Sequence, residues 1–172
     1  MLCPDCGFDN IEGVDGCEAC GQPMWEIEAG GELEQSIARH SVQVLVPKVP
    51  VAIESNTTAR EAVKEMVDRH IGCVLVEDGG NLVGIFTERD VLNKVSADPT
   101  GLDQPVANFM TGAPETITSQ DSIAYALHAM DMGGYRHLPV VDSNGKPTGI
   151  ISVRDILRFL CVRFAELRSK VG

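Results

Sequence analysis

The sequence predicts an α+β protein made of a strand–helix–strand–strand–helix unit written twice, with a small cysteine-rich segment ahead of it. Three observations carry this. Gly84-Ile85-Phe86-Thr87-Glu88-Arg89-Asp90-Val91-Leu92 returns 65 residues later as Gly149-Ile150-Ile151-Ser152-Val153-Arg154-Asp155-Ile156-Leu157. Within each copy, helical periodicity alternates with short apolar runs. Four of the six cysteines fall in the first 20 residues.

The elements follow in order. Ala62, Val63, Met66 and Val67 share one helical face, and Ala62-Val63 and Met66 correspond at an offset of 64 to Ala126-Leu127 and Met130. Val74-Leu75-Val76 and Leu82-Val83-Gly84-Ile85-Phe86 are short buried runs separated by the turn Asp78-Gly79-Gly80-Asn81. In the second copy, Leu138-Pro139-Val140 repeats the first run and Asp142-Ser143-Asn144-Gly145 makes the matching hairpin turn. A unit of about 55–60 residues buries too little surface to stand alone, so the copies are expected to pack face to face.

At 172 residues, with 44% hydrophobic and 23% charged residues, the composition is that of a globular domain. No run reaches the roughly 20 apolar residues of a bilayer span, and Met1-Leu2-Cys3-Pro4 lacks a signal-peptide core. The expected compartment is the cytoplasm, with no membrane partner. Charge is uneven: residues 1–38 hold nine carboxylates and no Lys or Arg, leaving 25 − 9 = 16 acidic against 14 basic groups in the rest. Such an acidic segment repels phosphate backbones and disfavours nucleic acid as a partner.

Cys3-x-x-Cys6 and Cys17-x-x-Cys20 are each followed by Gly, at Gly7 and Gly21. The two-residue spacing lets both thiolates of a pair reach one ion, and Gly lets backbone N–H groups approach the sulfurs. Four thiolates favour a closed, tetrahedral, structural Zn²⁺ site over a catalytic one. Iron is the alternative metal, and disulfides the bland alternative, disfavoured in a reducing compartment. The segment, residues 1–24, resembles a zinc ribbon with rubredoxin-type knuckles. Residues 25–41 read as a partly helical linker in which Leu33 and Ile37 share a face and Trp25 is an anchor against the ribbon. Cys73 and Cys161 sit in apolar runs and are expected to be buried hydrophobes.

The repeated stretch carries the chemistry. Thr87 falls at a strand end and Asp90 in the first turn of the next helix, where free N–H groups and the helix dipole suit an anion. A hydroxyl can contact phosphate or sugar, and a carboxylate accepts from two vicinal hydroxyls at once. Ser152 and Asp155 repeat the pair. The competing reading makes Thr87 and Ser152 helix N-caps; repetition of the carboxylate favours binding.

Residues 84–90 and 149–155 resemble the ribose-and-phosphate motif of CBS domains. Tyr135-Arg136-His137-Leu138-Pro139-Val140-Val141-Asp142 resembles the segment that precedes it, and Phe109-Met110-Thr111 the lead-in to a second copy. The resemblance covers residues 42–162. It implies a Bateman module, a first CBS repeat at 42–103 and a second at 104–165, packed as βαββα units about a pseudo-two-fold axis, with a C-terminal tail at 166–172. It further implies a homodimer that binds AMP, ADP, ATP, NAD(H) or S-adenosylmethionine between the copies, and regulates rather than catalyses. Carried over by position, one cleft takes Thr87 and Asp90 for sugar and phosphate, with Arg136, His137 and Arg154 supplying positive charge. The other takes Ser152 and Asp155, with Gly72 and Cys73 where the first has Arg136 and His137, and Arg89 as its one evident cation. The Asp90 cleft is therefore expected to bind phosphate better.

No phosphate-cradling Gly-Lys loop, nucleophile elbow or paired catalytic carboxylates stand out, so no catalytic residue is expected. The leading expectation is a sensor of adenosine ligands that signals to a protein partner. An electron carrier with iron on the four cysteines and a nucleic-acid-associated regulator acting through the ribbon are the alternatives. Phe159, Val162 and Phe164, in the apolar C-terminal stretch, are candidates for dimer packing.

Overall fold

A capping box starts the first helix of the repeats. Thr58 accepts from the Glu61 amide, and the Glu61 carboxylate accepts from the Thr58 amide. The computed structural model describes residues 2–3, 6–11, 14, 16–21 and 37–170. Trp25 and residues 32–36 of the expected linker helix lie outside the described residues; residues 37–39 are helical.

The first copy runs β1 (Ala52–Glu54), α1 (Ala59–Asp68), β2 (Cys73–Asp78), β3 (Asn81–Thr87) and α2 (Glu88–Asn93). After three 3₁₀ turns comes β4 (Thr111–Gly112), and the second copy follows as β5 (Ile117–Thr118), α3 (Ile123–Gly133), β6 (His137–Val141), β7 (Pro147–Ser152) and α4 (Val153–Lys170). β1 is parallel to β2 and β2 antiparallel to β3. β5, β6 and β7 repeat this pattern. Gly79 and Gly80 turn β2 into β3 with φ of 57° and 84°, a left-handed pair that residues with a Cβ adopt at a cost.

Each copy has its own core, but each core is completed by the segment that precedes the other copy. Val42 lies ahead of β1, yet it packs with Ile117, Ile123, Leu138, Val140, Ile151 and Ile156 of the second copy. Its amide donates to the Asp121 carbonyl at 2.8 Å, and Lys48 and Ile150 exchange backbone hydrogen bonds of 3.0 and 2.9 Å. Conversely, Val106 and Phe109 lie ahead of the second copy and pack with Val74, Val76 and Phe86 of the first. The Val106 amide donates to the Thr57 carbonyl at 2.8 Å, and β4 pairs with β3. Packing crosses the expected boundary between 42–103 and 104–165 in both directions. The copies meet face to face where Ile150 of β7 packs on Cys73, Leu75 and Ile85.

Some details meet expectation and others depart from it. Val67 is exposed, because the buried face of α1 is set by Ala59, Ala62 and Met66. Cys73 is buried, and desolvation first, then the Glu88 charge, pushes its thiol up to about 12. Cys161 is exposed: it projects from the outer side of α4 while Phe159 and Leu160 cover the second core. The segment 166–170, set aside as tail, continues α4 to Lys170. Among the described residues no helix is long and apolar enough to cross a membrane.

Val42→Ala should lower stability by about 2 kcal/mol, from two lost methyl groups and an unfilled site. Hydrogen exchange should place the loss in α3, β6 and β7 of the second copy rather than in the neighbouring β1. Protection lost mainly in the first copy would contradict the exchange of lead-in segments.

Candidate functional site

The end of β3 and the start of α2 deliver the first hydroxyl–carboxylate pair to a cleft between the copies. Its floor and walls are Gly72, Ile85, Thr87, Glu88, Arg89 and Asp90 from the first copy, with Thr111, Pro114, Glu115, Gly134, Tyr135, Arg136 and His137 from the lead-in and second copy. Thr87 caps α2: its hydroxyl accepts from the Asp90 amide at 3.3 Å and donates to Asp90 Oδ2 at 2.7 Å, while its own amide donates to that oxygen at 2.9 Å. Lys94, one turn along α2, reaches Asp90 Oδ1 at 2.7 Å. Asp90 is 5% exposed, one of two buried polar side chains among the described residues. The capping and cleft readings therefore coincide: the helix start is built from the same atoms that face the cleft. Thr58 and Glu61 make a similar box on α1 away from this cleft, so capping by itself marks no site.

The second pair repeats the two hydrogen bonds to the carboxylate. The Ser152 amide and hydroxyl donate to Asp155 Oδ2 at 2.8 and 2.6 Å. Lys48, from the lead-in to the first copy, approaches Asp155 Oδ1 at 3.2 Å. Burial pushes the Asp155 carboxyl up, but the Ser152 hydrogen bonds and Lys48 together outweigh it and hold the group below the ordinary carboxylate range.

The expected allocation of cations needs correction. Arg89, assigned above to the Asp155 cleft, lines the Asp90 cleft, where its Nη1 donates to the Gly134 carbonyl at 3.0 Å and ties α2 to the end of α3. Arg136 and His137 stand in the Asp90 cleft. Arg154 is not among its lining residues; it acts on His137 through its charge alone. The Asp155 side has a cation that the repeat alignment hides, Lys48, because it is donated across the pseudo-axis by the other copy's lead-in.

His137 is not a source of positive charge. Burial, first, and the charges of Arg154 and Arg136 push its imidazole below the ordinary histidine range, against Glu88 and Asp155, which pull it up. The ring is neutral at neutral pH. It lies over Gly72: a Cβ there would sit 3.2 Å from the ring Cε1, which explains a glycine at that place. Tyr135 was legible only as part of a family segment. In the structure its ring lies against Gly133, where no Cβ fits, and forms part of the cleft wall. Glu88 and Glu115 also line the cleft and carried no signal in the sequence.

At the N-terminus the two Cys-x-x-Cys turns converge. The Cys3 and Cys20 sulfurs are 3.7 Å apart, Cys6 and Cys17 3.6 Å, and all four lie within 4.8 Å of one another. A tetrahedral ion with metal–sulfur bonds of about 2.3 Å spaces its sulfurs by about 3.8 Å, so the four thiolates fit such an ion. Gly7 and Gly21 take φ of 71° and 74° at matching places in the two turns. Burial raises the Cys17 thiol, but the backbone of Cys20 and Ala19 and the Asn10 side chain lower it further, to about 6. Asn10 is buried, donates to Cys17 Sγ at 3.4 Å and accepts from the Glu18 amide at 2.9 Å, tying one turn to the other.

Residues 43–97 and 106–162 match the family model of the CBS domain. A 17.7 kDa protein of Acidianus ambivalens, encoded in the bps2 3' region, is 40% identical over 119 residues, covering 69% of this chain and 71% of its own length. Other curated relatives are longer: the chain spans 22% of the Arabidopsis thaliana protein CBSCBSPB5, at 34% identity over 70% of this chain. The CBS domain pair of protein MJ0100, solved with 5'-methylthioadenosine and S-adenosyl-L-methionine, is similar at a TM-score of 0.66 and 26% identity, covering 72% of this chain and 97% of that one. A CBS domain protein of Pyrobaculum aerophilum complexed with AMP gives 0.63 and 26%, covering 73% and 98%.

The neutral His137 gives stability a pH dependence. The unfolded ring takes up a proton near its ordinary value of about 6.5 and the folded ring below that. Stability should therefore fall as pH drops through about 6.5, and His137→Gln should flatten that part of the urea-midpoint profile. An unchanged profile in the variant would assign the acid loss elsewhere.

Proposed function

The chain belongs to the CBS-domain family, and on that premise we propose that it is a regulatory module that binds an adenosine-containing ligand in the Asp90 cleft. The observation that carries this reading is the joining, in one cleft between the copies, of Thr87, Asp90, Arg89 and Arg136. Asp90 would take the ribose hydroxyls, Thr87 and the two guanidinium groups the phosphate or its equivalent, and Ile85, Pro114 and Tyr135 would cover the base. Two similar CBS proteins, one solved with AMP and one with S-adenosyl-L-methionine, support the ligand class.

Charge narrows the ligand. Arg89 and Arg136 face Glu88 and Glu115 in the same cleft, Asp90 has Lys94 as its counter-ion, and His137 is neutral. A cleft so near charge balance suits AMP or S-adenosylmethionine better than a triphosphate, whose extra charges find no further cation among the lining residues. Ligand binding in the cleft would act by stiffening the contact between the copies. A homodimer, with Val162 and Phe164 on the outer side of α4 as contact candidates, and a protein partner complete the proposal.

The four cysteines would hold structural zinc. Their spacing suits a tetrahedral tetrathiolate ion, four thiolates leave no open position for catalysis, and the ion would fold the two turns together.

AMP at 100 times its dissociation constant should stabilise the chain by about 2.7 kcal/mol, with ATP at the same concentration giving a smaller thermal shift. Arg136→Ala should weaken AMP at least about 10-fold through loss of a charge-assisted hydrogen bond. No shift with AMP, ATP, NADH or S-adenosylmethionine would end the ligand-sensor reading. The purified chain should be colourless with one zinc per molecule by elemental analysis; iron absorbance in the visible would favour the electron-carrier alternative.

A further inference from the structure

Lys48 carries a consequence for the second cleft. Ile85 and Ile150 are equivalent positions of the two copies, 65 residues apart. Thr111 stands opposite Ile85, and Lys48 stands opposite Ile150. Thr111 lines the Asp90 cleft, so Lys48 occupies the corresponding wall on the Asp155 side. A short hydroxyl side chain stands at that place in one copy; in the other a lysine stands there and reaches the Asp155 carboxylate at 3.2 Å.

The counter-ions differ in the same sense. Asp90 is neutralised by Lys94 of its own helix, held by the Phe109 carbonyl at 2.7 Å. The position equivalent to Lys94, 65 residues on, is Phe159, which packs on the second core and carries no charge. Asp155 draws its cation from Lys48 instead, at 3.2 Å.

We infer that Lys48 is a built-in occupant of the second cleft: it holds the Asp155 carboxylate where a ribose diol would bind, so that the chain takes one adenosine ligand, in the Asp90 cleft. This rests on the nucleotide reading above. The lysine is 64% exposed on its side chain, and only its backbone pairs with Ile150. Replacing the side chain therefore leaves the strand in place and frees the carboxylate. The uncovered cleft has Ser152 and Asp155 but neither Arg136 nor His137, so it should accept adenosine about as readily as AMP, whereas the first cleft should prefer AMP.

Equilibrium dialysis of the full chain with AMP and with adenosine reads the stoichiometry. The wild type should bind one AMP per chain, Lys48→Met should bind two ligands, and Lys48→Arg should bind one. Asp155→Asn, made separately, should leave one AMP bound at unchanged affinity, because that carboxylate serves no ligand in the wild type. One ligand in Lys48→Met, with circular dichroism and melting unchanged, would overturn the inference while leaving the nucleotide reading intact. Two in the wild type with one lost in Lys48→Met would make Lys48 a phosphate ligand and also overturn it. Lower AMP affinity in Asp155→Asn would do the same. No ligand bound by either wild type or Lys48→Met would remove the nucleotide reading, and this inference with it.

Discussion

The exchange of lead-in segments is the constraint on which the other features depend. Val42 is fully buried in the core of the second copy and Val106 in that of the first. Each valine is anchored by an amide hydrogen bond to the copy that it completes. Because neither core closes without the other copy's leader, the two units fold as one body. The cleft between them is a consequence. Thr111 reaches the end of β3 only because β4 pairs there, and Lys48 reaches Asp155 only because its strand pairs with β7.

Helix capping gives that cleft its polar groups at little cost in stability. A buried carboxylate such as Asp90 would be strongly destabilising if unpaired. The capping box supplies two donors and the Lys94 ammonium the charge. These contacts hold the carboxylate in place, with lone pairs left for a ligand. At the second site the two donors to the carboxylate are kept, but the counter-ion arrives from outside the helix, and this change alters what the carboxylate can reach.

Much of this was legible in the residues. The duplicated Gly–apolar–apolar–hydroxyl stretch located both helix starts, and the glycine-rich turns located both hairpins, because period-2 runs and left-handed turns are local properties. The hydroxyl–carboxylate pairs at the two helix starts, Thr87 with Asp90 and Ser152 with Asp155, followed from spacing. What escaped was non-local. Lys48 lies far ahead of either hydroxyl–carboxylate stretch in sequence, and only strand pairing brings it to Asp155 of the other copy. Arg89 lies one residue from Asp90, and a carry-over by family position gave it to the wrong cleft; the turn at Gly134 decides its direction. The burial that keeps His137 neutral depends on the bare backbone of Gly72 opposite it. Val67 and Cys161 were misjudged because an apolar residue in an apolar run takes the side that its helix presents, and a few tens of degrees of rotation set that side.

Mutual lending of leaders also bears on how such a chain can lengthen. A third unit added after residue 165 would bring a leader of its own with no open core to receive it. Its own core would wait for a leader that no remaining segment provides. Only a further pair would satisfy both demands, so growth by duplication obeys a parity rule: this architecture extends in twos, and an odd member would carry a hole the size of a valine.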